Sequence, residues 1–516
     1  MEISNKKTIL LIILFFTLIG VWVLNFNYLE FLQHKDCMDY SQMGRELARG
    51  NGFSTLQIFP SHLKYFKEKG LSFDKPVPNL YRFPLPVISN AIFYKITGNI
   101  LNAGIIQSGF WMLMTIPIIF IIIYRLSGIF LGILGSIIFF LDNLSLSYSG
   151  LGEPLTTFLL IAIFYFVFKN LQKYFLIQGM LIGLLFLSRS VFIFILPLLI
   201  IFYLTEKIGL KKMMILTVGF LIISGGWFIR NYSLTGSPMF SFTNLRNLNR
   251  PDTGGRIDPF YTLDMEYSTM RVISKNIDLI VENTGRNMSK FFSIGFWKKI
   301  IFPFAPILLL SIIFYFFIKD RMLKRSIQIV FLTVISTFLI YTPFLLIPRW
   351  FSPVKPVILI TFLILISKIF TKVKEKFNFN TISNYSLIAI FSVLMVSPWI
   401  LGFSSLGKSK SRISSKKILN SFVNLEKIVK GKVVLSDISH RIAMFCDTLA
   451  IRIPIDPNDI EKIDENYAKI DYIVLSKAIP SASRKKYRSY LKNKEYSVRF
   501  EPVKRMKNLI VLKKRK

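Results

Sequence analysis

The chain has 516 residues, of which 52% are hydrophobic and 15% aromatic, including 50 Phe. That much apolar and aromatic weight excludes a string of soluble domains over most of the length. The formal charge is nonetheless +36, from 65 Lys+Arg against 29 Asp+Glu, which fits either a nucleic-acid binder or a membrane protein with basic helix ends. Two cysteines, Cys37 and Cys446, are too few for a disulfide framework, and His34, His62 and His440 lie too far apart for metal-ligand spacing.

Apolar runs long enough to cross a bilayer recur to about residue 404. They predict spans near 8–29, 100–124, 127–148, 154–168, 174–188, 190–205, 213–229, 300–318, 327–347, 351–368 and 383–403, eleven in all. The first is too long for a signal peptide and no small-residue cleavage site follows it, so it reads as an uncleaved signal anchor. With the N-terminus cytoplasmic, five cytoplasmic loops carry the basic residues. They hold Arg125; Lys169 and Lys173; Lys207, Lys211 and Lys212; Lys319, Arg321, Lys324 and Arg325; and Lys368, Lys372, Lys374 and Lys376. The short loops opposite hold little beyond Arg189 and Arg349. Segment 174–205 could be one long helix, which would invert everything after it. Basic clusters at both its ends favour a hairpin with Arg189 at the outer tip.

Three large segments then face the exterior: 30–99, 230–299 and the stretch from about 405. Loops of that length are usually functional. The expected division is a transmembrane domain over 1–404 and a soluble domain over 405–516. The latter holds 27 basic and 11 acidic residues, a net of +16. It reads as a small α/β domain, with strands at Lys432–Ser436, Asp471–Ser476 and Asn508–Leu512 and helices near 415–430, 458–468 and 482–493. Because most other basic residues are explained by topology, no nucleic-acid partner is expected.

The first exterior segment opens on Lys35-Asp36-Cys37-Met38-Asp39-Tyr40, followed by a helical pattern to Arg49 and a turn at Gly50-Asn51-Gly52. Asp36 and Asp39 would share one helix face, where a carboxylate can act as a general base. Equally, Asp36 could be an N-cap and Asp39 could complement the helix dipole. Tyr81-Arg82-Phe83-Pro84-Leu85-Pro86 then leads into an apolar helix ending at Gly98. Arg82 could bind a lipid phosphate or snorkel to the interface. Asp142 and Glu153 are acids near membrane depth, where acids are costly, and Gly152-Glu153-Pro154 also suits a helix start. Arg230, Arg349 and Lys355 sit at predicted exterior span ends with Arg189, and arginines there suit an anionic lipid head group. D-x-D, P-loop, H-E-x-x-H and G-x-S-x-G motifs are absent.

These positions together resemble the polytopic glycosyltransferases of the GT-C superfamily, in particular the family 39 group of protein O-mannosyltransferases, aminoarabinose transferases and their relatives. The resemblance runs through Asp36, Tyr40, Gly50-Asn51-Gly52, Tyr81–Pro86, Gly98, Gly152-Glu153-Pro154, Leu187-Ser188-Arg189, Trp227 to Pro238 and Arg349 to Pro356. The chain departs from the mannosyltransferase pair of adjacent acids, having Cys37 after Asp36. It also has Asp74-Lys75-Pro76-Val77-Pro78 in place of a Lys-Pro-Pro run.

The resemblance implies an α-helical polytopic membrane fold with a C-terminal exterior α/β domain. It implies transfer, with inversion, of a hexosyl or pentosyl unit from a polyprenyl-phosphate-linked sugar to a glycan, lipid or protein acceptor on the outer side of the cell membrane. Asp36 would be the base, favoured over Asp39 by the Tyr spacing. Glu153 would be a second acid, and Arg230, Arg349 and Arg82 would hold the donor phosphate. No cofactor is certain, and a divalent metal has no support in the sequence. The competing reading is a non-enzymatic flippase or transporter of lipid-linked glycans, which would want inverted repeats and broken helices, and neither is found.

Overall fold

The computed structural model describes residues 5–26, 34–70, 73, 76–168, 174–249, 258–293, 295, 321–341, 348–377, 410–476, 487, 500–506 and 509–515. The chain forms two compact units. One comprises Met1–Glu30, Ile105–Pro238 and Thr284–Ser409; the other comprises Phe31–Gly104, Met239–Asn283 and Lys410–Lys516. One boundary between the units falls at 409/410. The segments expected as exterior loops of the transmembrane domain, however, group with the C-terminal stretch.

The first unit is helical. Among the described residues, four helices are long and apolar enough to cross a membrane: Ile100–Ser127, Ile129–Ser147, Leu210–Thr235 and Phe351–Ile369. Shorter apolar helices run over Thr8–Leu24, Glu153–Val167, Phe175–Ser188 and Ser190–Thr205. The predicted spans at 300–318 and 383–403, and the end of 327–347, lie outside the described residues. Segment 174–205 is not one helix. Arg189 is extended (φ −157°, ψ 123°) between the Phe175–Ser188 helix and a 3-10 turn at Ser190–Phe194.

Small residues set the closest helix contact. A Cβ on Gly179 would lie 2.0 Å from the Leu216 carbonyl oxygen, and one on Gly219 would lie 2.3 Å from that of Leu176. The Phe175–Ser188 and Leu210–Thr235 helices therefore meet backbone to backbone, the packing that glycine permits where lipid supplies no hydrophobic drive. At helix ends, Trp22 donates its indole N–H to Ser147 Oγ (2.9 Å), and Tyr148 donates its hydroxyl to the Trp22 carbonyl (2.6 Å). Arg325 pairs with Glu206, joining two helix ends that the charge pattern assigns to one side.

The second unit is α/β. Its main sheet has strands β2 (Gln57–Ile58), β4 (Val434–Ser436), β5 (Ala450–Arg452), β6 (Tyr472–Ser476), β7 (Phe500–Met506) and β8 (Leu509–Lys514) in the order β2-β5-β4-β6-β8-β7. The β2/β5, β5/β4 and β4/β6 pairs are parallel, and β8 is antiparallel to both β6 and β7. A separate ribbon pairs β1 (Ser54–Thr55) with β3 (Val77–Pro78). The three predicted C-terminal strands correspond to β4, β6 and β8. Strand β5 and the Ser439–Phe445 helix are additions, too short for their periodicity to register, and β7 was likewise not predicted. The predicted helices near 415–430 and 458–468 appear as Lys410–Val429 and Asp459–Asn466; the one near 482–493 lies outside the described residues apart from Tyr487.

Strand β2 comes from segment 30–99, so a sheet expected to be C-terminal is completed by residues about 400 positions earlier. Arg45 reinforces the connection, donating to the carbonyls of Ala443 (3.0 Å) and Met444 (2.8 Å) at the open end of the Ser439–Phe445 helix. Segment 239–249 joins through Phe242 N–H to the Leu80 carbonyl (2.9 Å) and Thr243 Oγ1 to that of Tyr81 (2.5 Å). His62 belongs to this core, stacked on Phe242 with ring centroids 3.9 Å apart. Burial holds its imidazole well below the ordinary pKa, hence neutral.

Candidate active site

The helix Lys35–Ala48 carries Asp36 in its first turn and Asp39 one turn on, both directed to one partner. Its N-cap is His34, without a side-chain capping bond, so Asp36 is not the N-cap that one reading expected. The partner is Arg82, whose Nη2 donates to Asp36 Oδ1 (2.6 Å) and Asp39 Oδ2 (2.5 Å).

Local chemistry fixes Arg82. The Asn79 carboxamide oxygen accepts from the backbone N–H groups of Tyr81 and Arg82 (both 3.1 Å), and its amide donates to the Arg82 carbonyl (2.9 Å). This side-chain turn holds the arginine just before Phe83, the extended N-cap of the Pro84–Thr97 helix. That helix packs on Lys35–Ala48 at Gly44, where a Cβ would meet Asn90 Cβ at 2.7 Å. The Arg82 guanidinium also lies 5.3 Å from the ring centroids of Tyr40 and of Tyr81.

The two carboxylates differ in environment. The Asp36 side chain is 34% exposed, whereas that of Asp39 is 3% exposed. Asp39 Oδ1 is buried without a hydrogen-bond partner. Burial pushes the Asp39 carboxyl up to about 6 even though Arg82 pulls it down, and the charge of Asp36 adds to the rise. Cys37, between them, is fully buried and its thiol is raised by that burial. Burial also raises Tyr81 well above the ordinary phenol range, so it stays protonated.

Glu153, Arg230 and Arg349 belong to the first unit. Glu153 opens the helix Glu153–Phe168, is 1% exposed, and pairs with Arg189 Nη2 at 2.5 Å. Arg230 Nη1 donates to Asn231 Oδ1 (3.2 Å) and its guanidinium stacks 4.8 Å from the Trp227 ring centroid. Arg349 lies on the 3-10 turn Pro348–Val354, and its side chain lies outside the described residues. Lys355 Nζ stands 3.4 Å from Asp142 Oδ2.

The structure thus brings Asp36, Asp39 and Arg82 into one constellation and gives Glu153 its own cation. Arg82, expected on the donor phosphate, donates to the Asp36 and Asp39 carboxylates. Asn79 and the pairing of Arg189 with Glu153 were missed in the sequence. An Asn two residues before the Tyr-Arg-Phe-Pro text was the only available signal for the former. Among the described residues no group of three or more His, Cys, Asp or Glu side chains is placed to hold a metal ion.

The helical fold with a small sheet is similar to that of two solved proteins, ArnT and an archaeal oligosaccharyltransferase. ArnT from Cupriavidus metallidurans in the apo state matches with a TM-score of 0.57 over 98% of both chains, at 13% identity. The same protein bound to undecaprenyl phosphate matches with a TM-score of 0.54 over 99% of this chain and 98% of that one, at 12% identity. The archaeal oligosaccharyltransferase AglB from Archaeoglobus fulgidus, in complex with an inhibitory peptide and a dolichol-phosphate, matches with a TM-score of 0.57 over 97% of this chain and 73% of that one, at 11% identity. No protein-family model and no curated protein matches the sequence. At these identities the likeness establishes the fold.

Proposed function

We propose that the protein is an integral-membrane glycosyltransferase that moves a hexosyl or pentosyl unit from a polyprenyl-phosphate donor to a hydroxyl acceptor at the exterior face. The observation that carries this reading is the partly exposed Asp36 carboxylate, held by Arg82 beside the buried Asp39. The fold shared with proteins seen bound to undecaprenyl phosphate and dolichol-phosphate supports it.

In this reading Asp36 accepts the proton of the acceptor hydroxyl. The hydroxyl oxygen forms a bond to the anomeric carbon as the bond from that carbon to the phosphate oxygen breaks, inverting the centre. The leaving group is the polyprenyl phosphate, which takes the electron pair. Arg82 is a positioning residue. It fixes the Asp36 carboxylate in one rotamer, and Asp39 holds the guanidinium from the buried side. Arg230 and Arg349 would hold the donor phosphate and stabilise its charge as it leaves. Glu153, oriented by Arg189, would position sugar or acceptor. The eleven-span topology, with a cytoplasmic N-terminus and exterior C-terminal unit, belongs to the same proposal.

The test is sugar transfer from polyprenyl phosphate by Asp36→Asn and Asp36→Ala protein at matched levels. Removing a general base lowers the rate by about 10²- to 10⁴-fold. Full activity in both variants, or lipid translocation without a glycosidic bond formed, sinks the assignment.

A further inference from the structure

Within the second unit, the mechanism above leaves unused a group of cationic side chains around the first turn of the Lys35–Ala48 helix. Arg452 is the last residue of β5 and pairs in register with Ser436, the last residue of β4. The chain leaves β4 into the Ser439–Phe445 helix, whose first turn holds His440 and Arg441. Arg452 and Arg441 therefore stand at the carboxyl edge of adjacent parallel strands, the edge where open α/β sheets bind ligands. At the neighbouring carboxyl end the protein fills the position itself. Asp437 Oδ1 accepts from Ser476 N–H at the end of β6 (2.8 Å), and its Oδ2 accepts from the Ser476 hydroxyl.

Arg452 differs from three other arginines of the unit. Arg45 has Asp447, Arg82 has Asp36 and Asp39, and Arg246 has Asp258. Arg452 is 4% exposed, its Nε is buried without a hydrogen-bond partner, and it has no carboxylate among the described residues. Its guanidinium lies 5.0 Å from the Tyr261 ring centroid. A buried charge without a counter-ion is costly unless an anion arrives to match it. Lys35, Arg246 and Arg441 nearby carry the same sign, while Asp36, Asp39 and Asp437 are the acids that face the group, Asp437 acting on Arg441. Lys35 is held below its ordinary pKa by partial burial and then by the charge of Arg452, against Asp39, with Arg246 and Arg441 adding to the fall. His440 is kept neutral by burial and then by Arg452, Lys35 and Arg441.

We propose that Arg452, Arg441 and Lys35 form a phosphate-binding subsite at the carboxyl edge of β4 and β5. Two guanidinium forks and an ammonium drawn from three elements, both arginines close enough to act on the Lys35 charge, suit a group with several anionic oxygens. The charge arrangement stands by itself; that the phosphate belongs to a substrate of sugar transfer rests on the function proposed above. It would be carried either by a phosphorylated acceptor or by the lipid donor.

The experiment titrates full-length protein in detergent with inorganic phosphate at constant ionic strength, and in a second arm with undecaprenyl phosphate. Arg452→Gln and Arg441→Gln should each weaken inorganic phosphate binding about tenfold or more, with Arg452→Lys in between. Unchanged undecaprenyl phosphate binding in these variants assigns the subsite to an acceptor, and parallel weakening assigns it to the donor. Wild-type affinity for inorganic phosphate in both glutamine variants, or no phosphate binding by the wild type, overturns the proposal. Should Arg452→Gln fail to fold, Arg441→Gln and Arg452→Lys carry the test. Binding is read without turnover, so phosphate binding retained by Asp36→Asn protein separates this subsite from the catalytic assignment.

Discussion

Asp36 and Asp39 stand one helical turn apart on the same arginine, and exposure divides their roles. The partly exposed Asp36 can meet a substrate, while the buried Asp39 can act only through Arg82. Burial raises the Asp39 carboxyl to about 6, so it is charged above that pH and carries a proton below it. Once neutral, Asp39 no longer shares the guanidinium charge. Arg82 then turns fully to Asp36 and makes it a weaker base. Transfer activity should therefore fall as pH drops through about 6, by about tenfold per pH unit for a single essential ionisation. Asp39→Asn, which mimics the neutral form, should be slow throughout and lack that limb. A pH–rate profile of the two proteins, with an unaltered limb in the variant, would refute the coupling. The pair was legible in the sequence because i, i+3 spacing on a helix is local. The burial that separates their chemistry was not, since it depends on what packs over the helix.

Helix elements of the first unit depend on glycine at defined contacts. Gly179 and Gly219 let the Phe175–Ser188 and Leu210–Thr235 helices meet with carbonyl oxygens where a side chain would stand. Gly179→Leu should lower stability by about 1–3 kcal/mol or more, the usual range for overpacking. Gly225→Ala on the same long helix, where a Cβ meets nothing within 4 Å, should be nearly neutral. Thermal unfolding in detergent distinguishes them, and equal midpoints would mean that the close approach is not needed. Hydropathy located both helices within a few residues. It could not distinguish a glycine at a contact from one facing open space, because both look alike in an apolar run.

At the scale of the whole molecule, the second unit is assembled from three separate stretches, and its sheet ties segment 31–104 to the C-terminal stretch. A chain ending at residue 409 retains Asp36, Asp39 and Arg82. It loses the β5 partner of β2 and the carbonyls that Arg45 caps. Such a truncation should lose transfer activity and become protease-sensitive between about residues 50 and 60, because exposed strand edges and unpaired backbone invite local opening. Full activity with wild-type protection of that segment would show that it folds without the C-terminal stretch.

By itself the sequence determined the membrane class, most helix positions, the helix carrying Asp36 and Asp39, the proline-led helix after Arg82 and three of the C-terminal strands. These follow from composition and local periodicity, which sequence records directly. Only the tertiary structure decided that Arg82 serves the two carboxylates, that Glu153 is matched by Arg189, and that β2 completes a sheet whose other strands lie about 400 residues later. Those pairings join residues distant in the chain, and their partners are chosen by packing and by the cost of leaving a buried charge or strand edge unmatched. The basic excess that first allowed nucleic acid is divided in the same way. Much of it follows the helix ends. Arg452 takes its meaning only from the sheet edge on which it stands.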